Sequence, residues 1–109
     1  MGNIIKVKYD NKDYTLEFNR RVILKMEADG FLGKKGKELQ ENNPLEYAYI
    51  LIGYAFVKNH PAMSQNEVAD IIDQVGDFEG FVEAIAEIMK ASIETFNKGE
   101  QGNAKWERA

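Results

Sequence analysis

The chain contains no cysteine. That absence excludes disulfides, thiolate metal sites and cysteine nucleophiles together, and it suits a reducing compartment. One histidine, His60, stands alone, with no second histidine or cysteine to complete a ligand set. Next to Pro61 at a helix end, it reads as a terminus residue whose cationic form would suit the negative end of the helix dipole, and it is given no catalytic role. Long apolar runs are missing too. The uncharged stretch from Tyr47 to Val57 covers 11 residues, well short of the roughly 20 that cross a bilayer, so a membrane span is rejected. Met1-Gly2-Asn3-Ile4-Ile5 runs into Lys6, too little for a signal peptide, and position 6 lacks the Ser or Thr that myristoylation of Gly2 requires. The expected location is the cytoplasm.

Phosphate-loop and calcium-loop patterns are also lacking. Gly33-Lys34-Lys35-Gly36-Lys37 invites comparison with a Walker loop, but Glu38 stands where Ser or Thr would be needed. Asp70, Asp73, Asp77 and Glu79 do not have the spacing of a calcium loop, and they read as caps and solvated helix faces. No cofactor and no metal is expected, and no motif supports an enzyme.

What is present is an ordinary globular composition, 44% hydrophobic and 29% charged over 109 residues, enough for one domain that buries its core without staples. The net charge is −4, unevenly placed. Residues 44 to 97 carry nine acidic groups and two basic ones, so most of the surface repels phosphate and suits a protein partner with a basic face; nucleic acid is not expected as a partner.

Ile4, Val7 and Tyr9, the turn-rich Asp10-Asn11-Lys12-Asp13, and the alternation of Tyr14, Leu16 and Phe18 predict a β-hairpin over 4–18 with one apolar face. Asn19 fits an N-cap, Val22, Ile23 and Met26 share one side of a helix over 19–29, and Gly30 followed by Phe31 fits its closure. Residues 32–43 show no sustained period and read as a mobile connection. Asn43-Pro44 opens an apolar helix over 44–59, the expected centre of the core. Ser64-Gln65-Asn66-Glu67 is a capping box for a helix over 65–75. Asp77 caps the last helix, 78–96, where Phe78, Phe81, Val82, Ile85, Ile88, Met89, Ile93 and Phe96 keep helical spacing. The expected fold class is α+β, an N-terminal hairpin packed on a cluster of about four helices within one globular domain, 1–96, followed by a flexible tail, 97–109.

Two features suggest binding. Trp106, the only tryptophan, lies in that polar tail, where a large amphipathic ring either folds back onto the domain or anchors another protein. Glu79, Glu83 and Glu87 recur at i, i+4 and i+8, where like charges cost a few tenths of a kcal/mol per pair; a stripe of this kind serves solubility or a partner. The surplus of apolar helical faces predicts a groove between the last helix (Phe78, Phe81, Ile85) and the central one (Tyr49, Phe56), receiving a partner helix with Trp106 as a second contact.

Tyr14-Thr15-Leu16-Glu17-Phe18-Asn19-Arg20-Arg21-Val22-Ile23, Met26-Glu27-Ala28-Asp29-Gly30-Phe31, Lys58-Asn59-His60 and the ending Gly102-Asn103-Ala104-Lys105-Trp106-Glu107 together resemble the small tail assembly chaperones of long-tailed bacteriophages and of prophages in low-GC Gram-positive bacteria. The resemblance implies a non-enzymatic protein that binds the long helical tape-measure protein, keeps it soluble and helps tail-tube subunits polymerise around it. It also implies that a frameshifted, C-terminally extended form exists in such systems. Self-association is left open. The alternative is a small phage-encoded nucleic-acid-linked regulator or packaging adaptor, with the basic loop at 34–37 and Arg20-Arg21 touching phosphate; the acidic balance of 44–97 and the lack of a recognition helix stand against it.

Overall fold

Strand β1 (Ile4–Tyr9) runs antiparallel to β2 (Lys12–Glu17), with Ile4 opposite Glu17 and Tyr9 opposite Lys12. The two-residue connection has both residues in the left-handed region, Asp10 at φ 52° and Asn11 at φ 62°, as in the turn whose twist matches that of the flanking strands. Asp and Asn tolerate this backbone because their short side chains bond locally. The computed structural model describes residues 3–98, 104 and 106–108.

Among the described residues five helices follow: α1 (Arg20–Ala28), α2 (Lys34–Asn42), α3 (Pro44–Val57), α4 (Gln65–Asp73) and α5 (Phe78–Lys98). The fold is α+β, a hairpin on a helical cluster. The local signals at α1 and α4 act as their chemistry requires. Asn19 accepts from the Val22 N–H at 2.9 Å. At the other end of α1, Gly30 (φ 82°) lets its own N–H reach Glu27 O and the Phe31 N–H reach Met26 O, the paired bonds of a left-handed helix stop. Ser64 and Glu67 form the reciprocal capping box. At α3, Pro44 takes the first turn as expected, whereas the Asn43 side chain makes no capping bond. Asp77 (φ 47°) opens α5, its carboxylate accepting from the Gly80 N–H.

Residues 32–43, expected to be a mobile connection, contain the helix α2 instead. Gly36 is the reason. It is buried, and a Cβ there would lie 1.7 Å from Phe31 O; only a bare Cα allows α2 to lie against the turn at Phe31. Its N–H bonds Gly30 O at 3.2 Å. The cluster thus has five helices where about four were expected, and the last of them reaches Lys98.

The core is filled by Leu16 and Phe18 from the hairpin side, Val22 and Met26 from α1, Leu51, Ile52, Ala55 and Phe56 from α3, Ile71 and Ile72 from α4, and Ile85, Ile88 and Met89 from α5. Full burial of each large side chain stabilises by about 1.5–3 kcal/mol. Among the described residues, no buried side-chain nitrogen or oxygen lacks a partner, and no helix is long and apolar enough to cross a membrane.

Candidate functional site: an apolar groove between three helices

Helix α3 is apolar all round and has two working faces. Leu51, Ile52, Ala55 and Phe56 point into the core, while Tyr49, Ile50, Gly53, Tyr54 and Val57 border an open groove of about 490 Å³. The opposite wall comes from α4 and the segment before it, with Met63, Val68, Ala69 and Ile72, and one end is closed by Lys25 and Asp29 of the α1 terminus. Gly53 sits in the middle. Among the described residues nothing lies within 4 Å of where its Cβ would stand, so the missing side chain opens the groove instead of serving a close contact.

Two tyrosines set the polar rim. Tyr54 Oη donates to Asp29 Oδ2 at 2.6 Å, and Tyr49 Oη donates to Asp73 Oδ1 at the end of α4. Burial, reinforced by the Asp29 carboxylate, raises the Tyr54 phenol above its ordinary range. For Tyr49 the hydrogen bond to Asp73 is the main cause of an upward shift. The donated bond from Tyr54 and the nearby Lys25 ammonium, 3.4 Å away, hold the Asp29 carboxyl below its usual value. Both rings are therefore fixed at their polar ends and present apolar faces along the groove. Val57, 37% exposed, adds apolar surface along it.

This is not the groove read from the sequence. Phe56 and Ile85 are 1% and 0% exposed and belong to the core. Phe78 is half-buried against the Tyr49 ring, with centroids 5.9 Å apart. Phe81 is half-buried beside β1. Of the five residues assigned to an α3–α5 groove, Tyr49 and Phe56 line the α1–α3–α4 groove instead. Glu79, Glu83 and Glu87 are all exposed on α5, which contributes no residue to it. Trp106 is 86% exposed. Of the expected tail, 97 and 98 belong to α5, and 99–103, 105 and 109 lie outside the described residues.

A second arrangement escaped the sequence reading altogether. Lys58-Asn59-His60, just past α3, lies along the outer edge of β2. The Thr15 N–H donates to His60 Nε2 at 3.0 Å, Asn59 Nδ2 donates to Thr15 O at 3.2 Å, and Lys58 pairs with Glu17, which is only 9% exposed. A backbone N–H can only donate, so Nε2 carries the lone pair and the ring is neutral with its proton on Nδ1. The cationic helix-end role expected of His60 is thereby replaced: the ring is an acceptor that completes a strand edge, packed against Tyr14 at 5.2 Å. The signal was out of reach of local reading, since 45 positions separate the partners.

Among the described residues, no three His, Asp or Glu side chains gather as a metal-binding group. Fold and site together define an α+β domain carrying an open groove walled by aliphatic and aromatic side chains. The chain belongs to the family described as Domain of unknown function (DUF5055), matched over residues 1–109. No curated protein and no solved structure matches it significantly.

Proposed function

We propose that this chain is a tail assembly chaperone of a long-tailed bacteriophage or prophage, holding an apolar helical stripe of the tape-measure protein in the α1–α3–α4 groove while tail-tube subunits assemble. The observation that carries the reading is the groove centred on Gly53: an amphipathic client helix fits a trough of apolar walls with polar ends, using side chains spaced by three and four residues as anchors. A rod-like client with long apolar stripes aggregates when left bare, and covering those stripes reversibly needs binding surface and no bond chemistry. The exposed acidic stripe of α5 adds like-charge repulsion between loaded complexes. The motifs shared with such chaperones, including the Lys58-Asn59-His60 segment and the Trp106-Glu107 ending, support the same assignment. Trp106, exposed and away from the core, serves as a second contact for the client.

Co-expression with the tape-measure protein of the same phage tests it. Wild type should carry the client into the soluble fraction. Gly53→Leu, which fills the trough, should lower that yield about tenfold, the effect of losing roughly 1.4 kcal/mol of binding. Trp106→Ala should lower it with no change in melting temperature. A tape-measure protein equally soluble with wild type, with Gly53→Leu and with no partner would refute the assignment.

A further inference from the structure

The two edges of the hairpin are not equivalent. Tyr9 and Lys12 close a two-residue turn, so they form a hydrogen-bonded pair, and the pairs alternate from there. It follows that Ile4, Lys6 and Lys8 on β1, and Asp13, Thr15 and Glu17 on β2, turn their backbone groups outward. The bonds of Thr15 to His60 and Asn59 agree with that register and cover the β2 edge. On β1, no hydrogen bond other than the ladder to β2 involves these groups among the described residues. Beside this open edge lies a second groove of about 260 Å³, lined by Ile5, Val7, Tyr9, Val75 and Phe81.

We infer that the β1 edge accepts an added strand from a partner polypeptide whose residues alternate acidic and apolar. Its backbone would bond the N–H and C=O groups of Ile4, Lys6 and Lys8. Its apolar side chains would fall on the side of Val75 and Phe81, and its carboxylates on the exposed side with Lys6 and Lys8. Charge selects this occupant. Lys6 and Lys8 are both exposed, and neither makes an ion pair among the described residues. A second copy of β1 would set these lysines against their own kind on one face, which destabilises cross-strand pairing.

A six-residue acetylated peptide alternating Glu and Val, added to the full chain, tests the inference by amide hydrogen exchange. Exchange at Ile4, Lys6 and Lys8 should slow by about tenfold or more, whereas a peptide with Lys in place of Glu should have little effect. Lys6→Pro removes one outward donor without touching the ladder, which edge strands tolerate; it should abolish protection at Ile4 and Lys8. Lys6→Glu combined with Lys8→Glu should reverse the preference between the two peptides, and it keeps the test valid if the proline variant loses the hairpin. Equal protection by both peptides, or none by either, overturns the inference. Protection that rises with protein concentration alone also overturns it, because the occupant is then a second copy.

Discussion

Gly36 and Gly53 both lie inside helices, and alanine at the two positions should move stability in opposite directions. A helix-interior glycine costs about 0.5–1 kcal/mol relative to alanine, mostly through the freedom it has in the unfolded chain. At Gly53 none of the described residues stands within 4 Å of the new methyl group, so Gly53→Ala should keep that whole gain. For a domain of this size the melting temperature should rise by about 2–6 °C. At Gly36 the same gain is opposed by overlap. A Cβ would stand 1.7 Å from Phe31 O and 2.6 Å from Phe31 C, both backbone atoms that cannot rotate away. Helix α2 must retreat by more than an ångström, which strains packing by about 1–3 kcal/mol. The retreat also stretches the Gly36 N–H bond to Gly30 O, worth about 1 kcal/mol. Gly36→Ala should therefore destabilise by about 1–3 kcal/mol net. Urea denaturation of the two variants beside wild type reads both values, with an unchanged slope confirming that the native state alone is altered. A neutral or stabilising Gly36→Ala would mean that α2 does not pack on the Phe31 turn as described. A destabilising Gly53→Ala would mean that the groove is already filled.

The capped β2 edge should weaken when its partners are removed: His60→Phe strands the Thr15 N–H and Lys58→Met leaves Glu17 without its cation, each costing about 1–2 kcal/mol in chemical denaturation, and a loss below about 0.3 kcal/mol for both would remove these contacts from the account of the fold. The rim should give stability a pH dependence at both extremes. Asp29 is held below its ordinary value in the native state, so its contribution is present above that ordinary value and is lost as pH falls through the lower native one. Tyr54 and Tyr49 are raised, so theirs is complete below the ordinary phenol value near 10 and is lost as pH climbs beyond it. Tyr54→Phe should remove much of the alkaline loss, as followed by melting temperature against pH, and an unaltered profile would show that the Tyr54–Asp29 bond carries none of it.

Features that depend on neighbours a few residues away were legible in the amino-acid order. The Asn19 cap, the Gly30-Phe31 stop and the Ser64–Glu67 box each close within a single turn of chain, so residue type and spacing suffice to specify them. α2 was not legible. Its sequence holds one aliphatic residue, Leu39, and what seats it is the absence of a side chain at Gly36 against a carbonyl that sequence reading cannot place. The groove faces α1 and α4, where the sequence points to α5, for a related cause. A helix apolar on every side has no periodicity to say which side turns inward, and Gly53 was the single mark that distinguished the open face. The chain neighbours of His60 point to a helix end, whereas its partner is a strand 45 residues earlier.

The order of residues by itself determined the fold class, the hairpin, the four helices with apolar stripes or caps, the acidic C-terminal half and the exclusion of thiol and histidine-cluster chemistry, because these follow from local bonding, periodicity and composition. Tertiary structure decided which faces stay open. The α1–α3–α4 groove, the Lys58-Asn59-His60 cover over β2 and the β1 edge left uncovered among the described residues all arise where segments distant in the chain meet or fail to meet. Surface left uncovered is the remainder after every element has packed, and a remainder of that kind is a property of the assembled core.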